Sequence, residues 1–243
     1  MAVDAPVLYN DYWVYLRYNI GSTHLNPNDK QIHNAYKIRS RLRAQGYQPA
    51  AIAGILGCWQ VESGLTPGAL DTHLSQLPNS GEHLSELTNS VMLGYCDYAD
   101  PSARGYGTGL AQWDRGVSSA APQGNVIASY AIRNNMEWYD GDLQMMRLEA
   151  EYQLDLAGTY TFWYHNWGDV TWEDYKGIVD GPGTCALIFN ACFERSSGTA
   201  NPNRKDNAEF WYQYFIDHPI DVKTAMPIIF QQRKKVLKNV YHP

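Results

Sequence analysis

The sequence predicts a mainly α-helical domain that carries a large loop-rich insertion. Apolar residues recur at helical spacing in several stretches of the 243-residue chain. Residues 64–125 are instead rich in Gly, Ser, Asn, Pro and Asp, and a loop region of this length inside a compact domain is usually functional. Strand signals are weak throughout, although one short β-hairpin fits the pattern of the insertion. A hydrophobic content of 44% excludes general disorder.

Two helices are predicted in the first quarter of the chain. Residues 29–45 place apolar side chains on one stripe, and Gly46 ends the run. Pro49 opens the second helix at a position that tolerates its missing N–H. This helix covers residues 49–63 and is apolar along nearly its whole length, which predicts that it is buried.

Further helices are predicted towards the C-terminus. A short one begins at Thr171, because Asp174 three residues later completes a pattern like a capping box. The longer helices have apolar residues spaced for one face, except that residues 183–194 are apolar nearly all round. They cover residues 140–157, 183–194, 204–217 and 228–240.

Charge divides the chain unevenly. The net charge is −6, and residues 217–243 hold five basic and two acidic residues, so they carry +3 and the remainder −9. This segment is either a contact surface or a solvated helix. The charge therefore sets residues 217–243 apart from the rest of the chain as a basic extension.

Composition and spacing exclude several classes of protein. A net charge of −6 argues against a general nucleic-acid binder. No run of 18 apolar residues occurs, so no membrane span is expected. The first residues, MAVDAPVLYNDYW, lack the basic and apolar regions of a secretion signal. We expect no metal and no cofactor, because the histidines and cysteines lack ligand spacing. Buried free thiols are predicted for the four cysteines, Cys58, Cys96, Cys185 and Cys192.

Glu62 is the first candidate for chemistry. It lies at the C-terminal end of the apolar second helix, with Trp59 and Cys58 one turn before it. Apolar walls and the negative end of a helix both disfavour a charged carboxylate. A carboxyl group that keeps its proton near neutral pH can act as the general acid of a glycosidase. The alternative is a glutamate that faces solvent at a helix end.

The second candidate is the glycine-rich stretch GYGTGLAQWD, residues 105–114. Its alternating glycines predict positive φ angles or a close backbone approach. A nucleotide loop is excluded, because no Lys-Ser/Thr follows and no clear strand precedes. Gln112 and Trp113 offer an amide and a ring that suit a sugar, in a chain with 18 Tyr and 8 Trp. The alternative is a turn that packs Trp113 into the core.

These two motifs, in this order, resemble the phage tail lysozyme family. That family is related to goose-type lysozymes and soluble lytic transglycosylases. The Glu-Ser-Gly end of an apolar helix and the Gly-Tyr-Gly…Leu-Ala-Gln-Trp turn carry the resemblance. Residues 142–149, residues 184–195 and the stretch from Arg204 to Ala208 resemble later helices of the family. The resemblance covers about residues 49–216 and implies a lysozyme-like helical domain there, with the loop-rich insertion over the active-site cleft. We therefore predict three parts: an N-terminal extension with the first helix over residues 1–48, a lysozyme-like catalytic domain over 49–216, and the basic extension over 217–243.

The resemblance implies cleavage of the β-1,4 bond between N-acetylmuramic acid and N-acetylglucosamine in peptidoglycan. Glu62 matches the catalytic acid. Tyr106, Gln112 and Trp113 match the motif that lines the cleft beside it. Glu194 matches a family glutamate that either contacts substrate or pairs with a neighbouring arginine, Arg195 or Arg204.

A second carboxylate would favour hydrolysis over the formation of an anhydro product by a lytic transglycosylase. Asp114 is the candidate, at a position where the family often has a small polar residue. Asp71 and Asp100 compete for this role. Cys58 also departs from the family, which often has Asn there.

The resemblance also implies a place in the phage particle. We predict a virion protein of the tail or tail tip that opens the host wall during genome delivery, with peptidoglycan strands and other tail proteins as partners. An endolysin released inside the host is equally compatible with the sequence. The alternative from another class is a non-catalytic tail-tip protein that binds glycan or only packs against its neighbours.

Overall fold

The computed structural model describes residues 12–15, 26–70, 84–96, 107–113, 126–194 and 202–219, and all structural statements concern these ranges. The predicted helix over residues 228–240 lies outside them. The described ranges are mainly helical and have almost no strand, which confirms the predicted fold class. Their eight α-helices are α1 (Asp29–Ala44), α2 (Pro49–Ser63), α3 (Asn89–Cys96), α4 (Val126–Asn134), α5 (Gly141–Leu156), α6 (Trp172–Lys176), α7 (Pro182–Cys192) and α8 (Pro202–Asp217).

The predicted helix boundaries hold wherever a capping signal was present. Pro49 is the first residue of α2, and Gly64 ends that helix in the left-handed conformation at φ 59°. Thr171 and Asp174 form the expected capping box at the start of α6. Local chemistry therefore fixes these ends.

Two helices, α3 and α4, were not predicted in or beside the loop-rich region of residues 64–125. α3 and a short 3-10 turn at Leu84–Glu86 lie inside this region, and α4 begins just after it. α3 is held by long-range contacts rather than by local signals. The Asn89 side chain donates to the carbonyl of Met136 at 2.8 Å and accepts from the amide of Trp138 at 2.8 Å. The hairpin-like feature reduces to two antiparallel bridges, Leu70 with Thr108 and Thr108 with Trp113.

α2 lies in the middle of the described core, between α7 and α8. Its side chains from Ala50 to Val61 are all buried. Two glycines allow the neighbours to come close: a Cβ atom on Gly54 would lie 2.7 Å from the Cβ of Cys185 on α7, and one on Gly57 would overlap the carbonyl oxygen of Arg204 on α8. The small residues of α2 therefore set the positions of both helices.

We expect Gly57→Ala to destabilise the protein by about 1–3 kcal/mol, because the added methyl group forces α8 away from α2. The same Cβ would lie only 2.8 Å from the amide nitrogen of Ala208, which is backbone and cannot move aside alone. Urea denaturation measures the change. Gly177→Ala is the control, since a Cβ there has no neighbour nearer than 3.4 Å. Equal stability of the two variants would contradict the close packing.

The thiols of Cys58, Cys185 and Cys192 are free and buried, as predicted. Burial raises the pKa of Cys58 to about 12, despite the opposing effect of Arg204, and burial raises the pKa of Cys185 to about 12. The thiolate that reacts with alkylating agents is therefore absent near neutral pH. The side chain of Cys96 lies outside the described part of the structure.

We expect iodoacetamide at pH 8 to leave Cys58 and Cys185 unmodified in the folded protein and to modify both in urea. The same two thiols also make the stability of the folded protein depend on pH. Because the pKa of each thiol is raised in the folded state above the ordinary 9.0, its contribution to folding stability is complete below pH 9 and is lost as the pH rises towards 12. Peptide mass spectrometry identifies each alkylated cysteine. Rapid modification of Cys58 in the folded protein would show that its burial is wrong.

The helices in the described ranges are too short or too polar to cross a membrane.

Candidate functional site

Glu62 lies near the end of α2, and its side chain is 20% exposed. It is the one residue from Ala50 to Ser63 that is not buried. Trp59 and Cys58, one turn earlier, are fully buried and form the apolar wall that the sequence predicts. A rigid, enclosed helix thus presents a single carboxylate towards solvent.

The wall beside Glu62 also contains a cation, which the sequence did not predict. Arg204 of α8 donates from Nη2 to Oε1 of Glu62 in an ion pair. The carboxyl group therefore lies beside a buried cation as well as the predicted apolar wall. Gly57 provides the physical reason, because it brings the backbone of Arg204 against α2 one and a half turns before Glu62.

Arg204 is itself buried, with 8% of its side chain exposed. Burial lowers the pKa of a guanidinium, but Glu194 and Glu62 are among the groups that act in the opposite direction and hold the pKa of Arg204 above its ordinary value. Its Nη1 atom is buried and has no hydrogen-bond partner among the described residues. The guanidinium is thus a permanent positive charge with one donor nitrogen to spare.

The glycine-rich turn, of which residues 107–113 are described, packs against the segment that follows α2. The amide of Gly109 donates to the carbonyl of Ala69 at 2.8 Å, and Gly109 has the positive φ that was predicted, 78°. Gln144 of α5 accepts from the amide of Leu110 at 2.8 Å and donates to the carbonyl of Pro67 at 2.8 Å. The buried Gln144 amide therefore ties the turn to the chain that leaves Glu62.

Gln112 and Trp113 are both engaged within the protein. The Gln112 amide donates to the carbonyl of Gly109 at 2.9 Å. Trp113 is 7% exposed, its ring centroid lies 6.2 Å from that of Trp59, and its indole N–H donates to Glu151 at 3.2 Å. The structure brings this turn to the same end of α2 as Glu62. Contact of the two side chains with a glycan stays a prediction.

Glu151 and Arg147 of α5 form a buried ion pair that sequence reasoning missed. Nε of Arg147 lies 2.9 Å from Oε1 of Glu151, and only 6% and 4% of the two side chains are exposed. The guanidinium also lies over the rings of Tyr130 and Phe162. The two residues are four positions apart on a predicted helix, a spacing that indicates a possible ion pair. This spacing did not indicate that the pair is buried or that Glu151 accepts a hydrogen bond from Trp113.

The remaining predicted residues fall into two groups. Glu194 follows the end of α7 and acts electrostatically on both Arg204 and Cys58. A pairing of Glu194 with Arg204 and a substrate contact were the two alternatives; the position is compatible with the first, and the second stays a prediction. The other candidates lie outside the described ranges: Tyr106, Asp114, Asp71, Asp100 and Arg195.

Other features of the described ranges do not compete with this site. They contain no group of three or more His, Cys, Asp or Glu side chains arranged to hold a metal ion. A groove of about 210 Å³ lies at the opposite, N-terminal end of α2 and is lined by Arg39, Pro49 and Phe215, among others. The carboxylate of Glu62 and the guanidinium beside it therefore define the candidate active site.

The chain matches a known protein family over most of its length. The sequence profile of the phage tail lysozyme family matches residues 33–215, which include Glu62, the turn and Arg204. Morphogenesis protein 1 of Bacillus phage B103 is 24% identical over 180 residues, which are 74% of this chain and 38% of that relative. The chain thus matches well under half the length of this relative. Since the profile spans most of the 243 residues, the chain belongs to the phage tail lysozyme family.

Proposed function

We propose that this protein is a peptidoglycan glycosidase of a phage particle and that it cleaves the β-1,4 bond between N-acetylmuramic acid and N-acetylglucosamine. The observation that carries this proposal is the placement of Glu62, the one residue from Ala50 to Ser63 that is not buried. Family membership supports a lysozyme-like activity in general. The site supplies a residue able to perform it.

In the proposed reaction, Glu62 in its acid form donates a proton to the glycosidic oxygen as the bond from that oxygen to the anomeric carbon breaks. An oxocarbenium-like state develops at this carbon. In hydrolysis, water adds to the carbon and loses a proton, which leaves a new reducing end. The α2 backbone holds the acid in place, since Gly64 caps the helix just beyond it. Positioning of this kind is a large part of enzymatic rate enhancement.

The second carboxylate decides between hydrolysis and transglycosylation. Asp114 directly follows Trp113, whose position at this end of α2 is fixed through Glu151. We propose that Asp114 orients the attacking water or stabilises the positive charge. Without such a group, attack by the 6-hydroxyl of the muramic residue would give an anhydro product.

The setting of the reaction is the host wall during genome delivery, and the protein would act as part of the tail or tail tip. The relative in phage B103 is called a morphogenesis protein, which supports an association with phage assembly. We propose that residues 49–216 act on the glycan, whereas residues 1–48 and 217–243 contact neighbouring tail proteins. Deletion of 217–243 without any effect on particle assembly would contradict the role of that extension.

Digestion of purified peptidoglycan in water enriched in oxygen-18 tests the reaction class. The proposal predicts muropeptides whose new reducing ends carry one heavy oxygen atom. Unlabelled anhydro-muropeptides would assign the protein as a lytic transglycosylase instead. Glycan that is bound but never cleaved would support the alternative function, a non-catalytic tail-tip protein. The ion pair between Glu62 and Arg204 favours this alternative, because it occupies the carboxylate.

A further inference from the structure

One guanidinium at the candidate active site forms an ion pair with one carboxylate and interacts electrostatically with a second. Arg204 is paired with Glu62 through Nη2, and Glu194 raises the pKa of the same guanidinium. The three side chains come from α8, from the end of α2 and from the segment after α7. With both carboxylates ionised the cluster carries one negative charge in excess.

Two groups of the cluster, Arg204 and Cys58, each keep one charge state near neutral pH. The pKa of Arg204 is held above its ordinary value, and burial keeps Cys58, the other titratable group in contact, as a neutral thiol. The glycine-rich turn contributes no titratable side chain from Gly107 to Trp113. The next residue, Asp114, lies outside the described ranges.

The backbone of Arg204 is fixed by packing, but its guanidinium does not use all of its hydrogen-bond donors among the described residues. Its carbonyl and the following helix pack on Gly57, which fixes where the side chain starts. Nη1 is buried and lacks an acceptor among the described residues, whereas Nη2 contacts Glu62. A planar guanidinium with two donor nitrogens can bind two carboxylates at once. The geometry thus allows its charge to be shared between Glu62 and Glu194.

We propose that Arg204 is a positioning residue whose charge is divided between Glu62 and Glu194, and that this division sets the pH range in which Glu62 holds a transferable proton. The inference rests on the proposed function. A cation alone beside Glu62 favours the carboxylate form, which cannot donate. A second carboxylate opposes that effect in two ways. It partly neutralises the positive charge of Arg204, and it repels a negative charge on Glu62.

The two partners of Glu62 should therefore have opposite effects on the pH profile. Glu194→Gln leaves Glu62 alone with Arg204, so the pH above which activity falls moves down by about one unit. Arg204→Gln leaves two carboxylates without a cation, so that pH moves up by about one unit. Arg204→Lys keeps the charge and should return the profile towards that of the wild type.

The experiment measures kcat/KM on solubilised peptidoglycan from pH 4 to 9 for the wild type and these three variants. Glu137→Gln, at an exposed position outside the cluster, is the matched control and should keep the wild-type profile. Opposite shifts in Glu194→Gln and Arg204→Gln support the inference. A fall in rate without a shift, or shifts in the same direction, overturns it, since a merely structural role changes the amplitude alone.

Two further outcomes are separable from these. If thermal unfolding shows that Arg204→Gln does not fold, the other two variants decide. The pH above which activity falls must then move down in Glu194→Gln, and the profile of Arg204→Lys must stay near that of the wild type. The absence of either result overturns the inference. If the wild type cleaves nothing at any pH, the proposed function fails and this inference fails with it. An active wild type with unchanged profiles in every variant overturns only the role of Arg204.

Discussion

Glu62→Gln is expected to lower the rate of glycan cleavage by about 10²–10⁴-fold, the usual loss when a general acid is removed. Glutamine has nearly the shape of glutamate but has no acidic proton to donate. Because the carboxylate is the one group from Ala50 to Ser63 that is not buried, the fold should tolerate the change. The rate of release of soluble fragments from labelled peptidoglycan measures the loss.

Binding and stability separate a lost acid from a lost fold in this variant. Glu62→Gln should still bind insoluble peptidoglycan, and its unfolding temperature should stay within a few degrees of the wild type. The substitution leaves Arg204 without its charged partner at Glu62, but Glu194 still acts on the same guanidinium. A variant that is folded, binds glycan and cleaves it at the wild-type rate would show that Glu62 is not the acid.

Arg147→Met is expected to destabilise the protein by about 3–5 kcal/mol, because it breaks the buried ion pair with Glu151. The Glu151 side chain is only 4% exposed, and the same carboxylate accepts the hydrogen bond from the Trp113 indole. The loss is larger than that expected for Gly57→Ala. Urea denaturation monitored by circular dichroism measures the free energy of unfolding.

The double variant Arg147→Met/Glu151→Leu tests the reason for that loss. Replacement of both partners removes the buried charge, so most of the stability should return. Arg133→Met, at an exposed arginine of α4, is the matched control and should change stability by less than about 0.5 kcal/mol. A double variant no more stable than Arg147→Met would contradict the assignment of the loss to the broken buried ion pair.

The sequence predicted helices best where periodic apolar residues met a capping signal. α2 is the clearest case, since Pro49 and Gly64 mark both of its ends and its burial follows from its composition. α3 was not predicted because it is short and is held by the Asn89 side chain, which forms hydrogen bonds with the backbone of Met136 and Trp138. Contacts across such a distance leave no periodic trace in the sequence.

The candidate site was predicted in part for the same reason. The position of Glu62 at a helix end follows from local pattern, and so does the positive φ of Gly109. The pairing of Glu62 with Arg204 joins residues 142 positions apart, and no local rule connects them. Gly57 was the available signal, because a glycine inside an otherwise strong helix often marks a close approach by another backbone.

Mass spectrometry of the fragments released from purified peptidoglycan by the wild type, Glu62→Gln and Glu137→Gln would decide the role of Glu62. Equal protein amounts and confirmed folding make the three digests comparable. We expect abundant muropeptides with new chain ends from the wild type and from Glu137→Gln, and at most about one hundredth of that amount from Glu62→Gln. Equal amounts from all three proteins, or glycan binding without fragments from the wild type, would contradict the proposal that this site cleaves peptidoglycan through Glu62.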